Sequence, residues 1–277
     1  MSYIEVNINT DCSVSYCAVG GYESRVESTI RMFDLAFKQI QLEQVRTRRF
    51  YISIDDVSSS VGTSLTFGFT NAQSVVVCPD FTFIKWAEVG IEDYTDTISS
   101  IITASSNPWE IDKMFWIGNP RTQNLRYNLI EIGNRNRNDF MFVPMNWLRN
   151  SARGQMHGYT YFISLSDHAK YRFLIDCGAA GYSGRLKFLL FTGRPVFLVE
   201  RDQNKQDYFY SKLLPYVHYI PVKPDLSDLV EQYKWARDHT EDVQKIASSA
   251  LIFAKENLSE ASILTHLSYL LKNHLYN

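Results

Sequence analysis

The sequence predicts an α/β protein built as two Rossmann-like lobes with parallel sheets, finished by a C-terminal helical segment. Three observations predict it. The chain has 277 residues, room for about two domains of ~150 residues each. Strand-like and helix-like patterns alternate from end to end, the order that gives parallel sheets. The alternation is interrupted by a small, polar stretch, Asn150-Ser151-Ala152-Arg153-Gly154-Gln155, and then restarts. This divides the chain into residues 1–150, 151–258 and 259–277, the last a helix expected to pack across the two lobes.

Taken in order, Tyr22 to Leu42 is the first helix, with Ile30, Phe33, Leu35, Phe37 and Ile40 as its apolar stripe. Arg48 to Asp56 is β-branched and aromatic and reads as a strand. Ser74 to Cys78, Lys113 to Gly118 and Asp139 to Pro144 are three more strands, with a helix over Asn124 to Ile132. After Asn150 strands are expected at Tyr159–Ser164, Tyr171–Cys177, Pro195–Glu200 and Val217–Val222. Helices are expected at Ser183–Thr192, Asp207–Leu214 and Asp225–His239. The tail from Glu241 is helical, with a break near Asn257 and a restart capped by Ser259. Strand, helix, strand, helix, strand is the order of a Rossmann-type half, where ligands collect at the carboxyl ends of the strands.

Composition excludes several classes. Hydrophobic residues make up 45% and charged residues 21%, so the chain is globular rather than disordered. The formal net charge is -2, which argues against a bulk nucleic-acid binder. No apolar run approaches the ~18 residues of a membrane span. The opening residues lack the basic start and apolar centre of a secretory signal. Four cysteines are too few for a disulfide scaffold, and none has zinc-ligand neighbours. A cytoplasmic protein with reduced thiols and no bound metal is the expectation.

One segment carries chemistry: Asp176-Cys177-Gly178-Ala179-Ala180-Gly181-Tyr182-Ser183-Gly184-Arg185-Leu186-Lys187. A strand runs into a Gly-rich bend, and a helix is expected to begin at Ser183. Gly lets backbone approach a ligand, and a helix start presents unpaired N–H groups. Arg185 and Lys187 place two cations where the helix dipole disfavours them, unless an anion compensates. The segment therefore reads as a phosphate or diphosphate seat. An ordinary Gly-rich turn with solvated basic residues is the competing reading. The spacing matches neither a Walker loop nor a dinucleotide fingerprint.

Around this segment the chain resembles glycosyltransferase family 90. The resemblance is carried by Tyr171-Arg172-Phe173-Leu174-Ile175-Asp176 and by Gly181 through Leu190. It is carried as well by Tyr208-Phe209-Tyr210, by Leu213 through Ser227 and by Asp167-His168. Thinner similarity covers Pro79-Asp80-Phe81-Thr82-Phe83 with Trp86 and Glu88, Pro108-Trp109, and Phe115-Trp116-Ile117-Gly118 followed by Arg121 and Arg126. The resemblance implies a GT-B architecture and inverting, metal-independent transfer from a UDP-sugar. Arg185 would hold the departing diphosphate, helped by Gly181, Ser183, Gly184 and Lys187, with Arg121 or Arg126 reaching the phosphates as well. Ile117 stands where the family commonly has Arg. The strand ending in Asp55-Asp56 is similar to the family's strand that ends in the catalytic base, which maps onto Asp56, with Asp55 one register away. Read without the family, both acids cap a turn into Ser58-Ser59-Ser60.

Glu200 and Asp202 follow a strand end and are candidates for ribose contacts, or sit in a solvated loop. Asp80, Trp86 and Glu88 are candidates for the acceptor side, although Trp is more often core. His218, on an apolar strand, reads as structural. Arg46, Arg48, Arg49 and Arg135-Asn136-Arg137 read as solvated faces, with an anionic acceptor or the inner membrane face as the alternative partner. The acceptor expected is a glycan or glycolipid, a lipopolysaccharide core or capsule precursor. The rival reading is a non-catalytic GT-B-like module that binds nucleotide-sugar or glycan.

Overall fold

Alternate side chains decide the first strand. In β1 (Tyr3–Ile8) Ile4, Val6 and Ile8 are buried while Tyr3, Glu5 and Asn7 are only partly covered, the period of two of a half-buried strand. The computed structural model describes residues 1–145 and 162–277, and the backbone of 147–148 and 158–159. The polar stretch 150–155 lies outside the described residues, as do 160 and 161 of the strand expected over Tyr159–Ser164.

The chain forms two compact units. The first comprises Met1–Tyr94, Asp202–Tyr210 and Asn257–Asn277; the second comprises Thr95–Arg201 and Ser211–Glu256. The division expected at 150 differs from this one. Strands 111–118 and 140–144 pair into the same sheet as the later strands, so the second unit starts near Thr95.

The first unit holds a five-stranded sheet in the order β2-β1-β3-β4-β5, with β2 (Val14–Val19), β3 (Arg49–Ser53), β4 (Thr66–Gly68) and β5 (Val76–Val77). β3, β4 and β5 run parallel, whereas β1 is antiparallel to both β2 and β3. The sheet is therefore mixed rather than wholly parallel. The short Asn9–Ser13 connection, with Cys12 at φ 65°, can join only antiparallel neighbours. α1 (Glu23–Phe37) packs Phe33 against Phe50 and Phe67 at 6.3 and 5.9 Å between ring centroids. α7 (Glu260–Leu275) lies against α1, with Ser268 Oγ donating to Ala36 O at 3.2 Å. The carbonyl of Leu275 accepts from the Arg46 and Thr47 N–H groups at 2.8 and 3.0 Å. Ser259 caps α7 by accepting from Ser262 N–H. The last helix thus belongs to the first unit.

The second unit holds an all-parallel sheet in the order β12-β11-β10-β6-β7. Its strands are β6 (Ile111–Gly118), β7 (Phe140–Pro144), β10 (Tyr171–Asp176), β11 (Val196–Val199) and β12 (Ile220–Val222). A separate antiparallel pair is formed by β8 (Trp147–Leu148) and β9 (Gly158–Tyr159). The helices are α2 (Tyr94–Ser105), α3 (Asn124–Arg135), α4 (Leu186–Phe191), α5 (Leu229–Asp238) and α6 (Thr240–Asn257). One core joins Met114, Trp116, Phe173, Ile175 and Phe197 of the sheet to Leu129, Leu229, Tyr233 and Ile246 of the helices. All six residues of α4 are buried.

Two expected helices change. The one expected from Ser183 begins at Leu186, because the Ser183 side chain is taken by Asp176. The one expected over Asp207–Leu214 is only a 3-10 turn, Tyr210–Lys212. That segment lacks a helical apolar stripe, and Pro215 disfavours helical backbone at Leu214.

Candidate active site

Read from its second edge, the sheet of the second unit has the order 2-1-3-4-5 of a doubly wound fold, whose ligands bind where the strand order reverses. That point lies between β6 and β10. The carboxyl ends there carry Ile117 and Gly118 on β6 and Asp176 on β10.

Asp176 is fully buried. It accepts from Ser183 Oγ at 2.6 Å and from Arg201 Nη2, whose side chain is 4% exposed. Burial alone would push its carboxyl up; Arg201, Arg185 and the Ser183 hydroxyl overcome this and hold it below the usual range. Arg185 donates from Nη1 to Ile117 O. Burial pushes its guanidinium down to about 10, against the opposing pull of Asp176. Its Nε is buried without a hydrogen-bond partner, as is Trp116 Nε1. The Arg185 guanidinium carbon lies 6.0 Å from the centre of the Trp116 ring. Gly118 makes room for that indole, since a Cβ there would lie 2.6 Å from Trp116 Cζ2.

Arg126 is buried, which pushes its guanidinium down from its usual value. It donates to Gly178 O at 2.8 Å, Cys177 O and Asn119 O at 3.0 Å each, and Thr122 Oγ1 at 2.8 Å. Four bonds to the two crossing loops make Arg126 the clamp of the bend. Among the described residues neither Arg126 nor Arg185 forms an ion pair with a carboxylate of its own. One buried and one half-buried cation, with two unfilled donors, at a switch point are what a polyanionic ligand would complete.

His168 lies beneath the same strands, its ring edge-on to Phe115 at 5.0 Å. Burial, with Arg185 nearby, pushes its imidazole down to about 3. The neutral ring donates from Nδ1 to Ser164 O at 2.8 Å, because a carbonyl can only accept.

The other residues singled out from sequence are distributed as follows. Gly181 and Gly184 sit in the bend, neither with positive φ. Lys187 is fully buried on α4 rather than standing at the mouth of the bend. Arg121 is exposed on the 3-10 turn Pro120–Thr122 after β6. Glu200 is exposed at the end of β11. Asp202 is exposed in the first unit and 3.5 Å from Lys205. Arg49 pairs with Glu5 at 3.0 Å, Arg48 donates to Asn9 O at 2.7 Å, and Arg135 pairs with Glu131. Arg48, Arg49 and Arg135 are thus satisfied locally. His218 tilts against Phe253 at 5.0 Å and accepts from Leu214 N–H, a structural role.

In the first unit β3 ends at Ser53, and Asp55 and Asp56 lie on the bend that follows. The bend is stitched down by reciprocal bonds between Ser58 and Thr70 at 2.9 and 3.0 Å. A Cβ on Gly68 would lie 2.5 Å from Ser58 Oγ, so the close approach requires glycine. Asp55 accepts from Ser2 N–H at 2.8 Å and is spent on β1. Asp56, with its side chain 54% exposed, meets Arg25 Nη2 at 3.0 Å. The two acids differ in placement: Asp55 fastens backbone and Asp56 faces outward. Asp80 is buried and caps the 3-10 turn Phe81–Phe83, accepting from Thr82 N–H at 2.9 Å and Thr82 Oγ1 at 2.5 Å. That makes Asp80 a structural post for the turn. Trp86 is half-buried with its ring 5.5 Å from Phe81, and Glu88 accepts from Ser24 Oγ.

Sequence reasoning placed Asp176 in the segment that carries chemistry without giving it a role, and missed Arg201. Each directly ends or follows an apolar strand, which was the available signal. An open pocket of about 380 Å³ lies elsewhere in the second unit, lined by Tyr216, Val217, Trp235, Ile246 and the Asp242–Lys245 pair. It lacks a cation cluster. Among the described residues no three His, Cys, Asp or Glu side chains gather into a cation site.

Protein O-glucosyltransferase 2 of Danio rerio is 32% identical over 161 residues, 57% of this chain and 32% of its own length. Protein O-glucosyltransferase 1 of Homo sapiens is 33% identical over 112 residues, 40% of this chain and 28% of its own. The matched regions therefore span about a third of the length of these curated relatives. Among solved structures, Anabaena HepE in complex with UDP and glucose matches with a TM-score of 0.45 and 10% identity, covering 76% of this chain and 63% of that one. A family model matches almost from end to end, residues 24–275, and by it the chain belongs to glycosyl transferase family 90.

Proposed function

We propose that this chain is an inverting, metal-independent glycosyltransferase of GT-B plan that moves a hexosyl or pentosyl group from a UDP-sugar to an acceptor hydroxyl. The observation that carries the reading is Arg185 at the switch point, half-buried, tied to Ile117 O, and with a buried Nε unfilled. When the sugar leaves, its bond to the diphosphate breaks and the electron pair stays on the UDP oxygen. A fixed guanidinium in a dry site stabilises that charge without reorganising. Ser183, held by Asp176, and Arg126, clamping the bend, keep the seat in shape. Asp56 serves as general base: its carboxylate takes the acceptor proton as the acceptor oxygen bonds to the anomeric carbon. Lys187, fully buried, supports the bend from within α4 in this reading, while Arg121, Glu200 and Trp86 remain candidates for substrate contacts.

Calorimetric titration with UDP tests the seat. Arg185→Ala is expected to weaken binding roughly 10- to 100-fold, the worth of one charged hydrogen-bonding partner. Unchanged affinity would remove the reading. Transfer is expected to survive chelator, and a strict divalent-ion requirement would overturn that part.

The acceptor we propose is a cell-envelope glycan, a lipopolysaccharide core or capsule precursor, met in the cytoplasm; the four free thiols support a reducing compartment. The relatives named protein O-glucosyltransferases favour a second reading, a hydroxyl on a protein. Radiolabelled UDP-sugars offered with envelope glycolipid and with folded protein domains separate the two by which product takes the label.

A further inference from the structure

Asp56 stands on an exposed bend, where an Asp side chain has several rotamers open to it. A general base needs one. Arg25, near the start of α1, supplies the constraint. Its Nη2 meets Asp56 Oδ1 at 3.0 Å and its Nη1 donates to Ile54 O at 2.7 Å. One guanidinium therefore grips the bend at two points, the backbone before the acid and the acid itself. Its side chain is only 14% exposed, and its central carbon lies 4.7 Å from the centre of the Phe81 ring. Phe81 is buried and opens the turn that Asp80 caps.

We infer that Arg25 is a positioning residue for Asp56, and that the Pro79-Asp80-Phe81-Thr82-Phe83 segment serves to seat its guanidinium. The inference rests on the reading of Asp56 as the base. It assigns the two carboxylate oxygens different work: Oδ1 is held by Arg25, and Oδ2 takes the proton. It gives Asp80 an indirect task, through the turn that presents Phe81. It also explains the choice of arginine. A planar fork can hold a carbonyl and a carboxylate together and lie on a ring, whereas a lysine ammonium is a point charge without that geometry. An ion pair with an exposed carboxylate contributes little to stability, so the contact with Asp56 itself is poorly accounted for as a fold device.

The test compares Arg25→Met, Arg25→Lys, Phe81→Leu and Asp56→Asn in the full chain for transfer kcat, UDP affinity and thermal unfolding. Arg25→Met is expected to lower kcat about 10²-fold, the scale of an ångström-sized misplacement, with UDP affinity within about twofold. Arg25→Lys is expected to recover part of the loss. Phe81→Leu, which keeps the cation but removes the ring beneath it, is expected to lower kcat in the same direction, and stands in should Arg25→Met unfold. The inference is overturned if Arg25→Met stays within about threefold of wild type, if lysine recovers nothing, or if UDP affinity falls in step with kcat. Asp56→Asn separates the two failures. If it transfers at the wild-type rate, the base assignment itself is gone. If it is inactive while Arg25→Met is normal, only the positioning role is lost.

Discussion

Two aspartates follow parallel strands in this chain, and each is met by an arginine. Asp176 ends β10 in the second unit, fully buried against an Arg201 side chain that is 4% exposed. Asp56 follows β3 in the first unit, with its side chain 54% exposed against an Arg25 that is 14% exposed. The chemistry of the pairs is the same and the solvent is not. A buried pair binds its partners' fate to the fold, since a lone charge left behind in the interior is costly. A pair open to water has little hold on stability and can give its carboxylate to a substrate. In the proposed function the difference separates a residue that builds the seat from one that acts.

The sharpest break in that comparison is Asp176→Asn. It removes the charge facing Arg201 and is expected to cost about 3–5 kcal/mol, the usual price of splitting a buried pair. Denaturant unfolding measures it, and a loss no larger than that of an exposed pair would erase the distinction. Next in size is Arg126→Met. It leaves the carbonyls of Cys177, Gly178 and Asn119 without this donor, for an expected loss of about 2–3 kcal/mol. UDP affinity should fall with it, because the bend loses its clamp. A variant of full stability that binds UDP normally would show that the loops hold themselves.

Acid sharpens the contrast further. The His168 imidazole is pushed down to about 3 in the folded chain from an ordinary 6.5. Between those values the unfolded chain binds a proton that the folded chain does not, so stability is present above 6.5 and is lost as pH falls. At pH 5 the loss is expected to be about 2 kcal/mol relative to neutral pH. His218, also lowered by burial, adds in the same direction. Asp176 adds only near and below the ordinary 3.8, so histidine carries the window from 6.5 to 5. His168→Gln should flatten the dependence of Tm on pH there. Parallel curves for variant and wild type would remove His168 as the source.

How much of this was legible in the sequence follows the same divide. β3, β6, β10 and β11 were readable because buried strands are short apolar runs, and α1, α3 and the α6–α7 break were readable from period and cap. β1, β2 and α2 were not assigned; β2 is largely exposed and lacks a buried stripe. Ser183 and Arg185 were legible because they sit in one continuous segment. Arg201 was not, being 25 residues from its partner, in contact only because β11 pairs beside β10. The switch point itself was invisible for that reason: strand order is set by crossovers, and the pairing of β6 with β10 spans the very stretch at which the sequence was expected to divide. Asp56 was legible only through family resemblance, since an acid after a strand is also the commonest way to start a turn.

The smallest expected effect on stability is the most telling. Asp56→Asn removes a charge from an exposed pair, for about 0–1 kcal/mol, and Ile54 O still holds Arg25 at 2.7 Å. The fold should barely respond, and UDP should bind as before, because the seat in the second unit keeps Asp176, Arg185 and Arg126. Transfer should nevertheless disappear, since the amide cannot take the acceptor proton. Thermal unfolding, UDP titration and a product assay on one preparation read all three. A variant that loses stability like Asp176→Asn would make Asp56 another piece of scaffold, and a variant that still transfers would leave the acceptor proton to some other group.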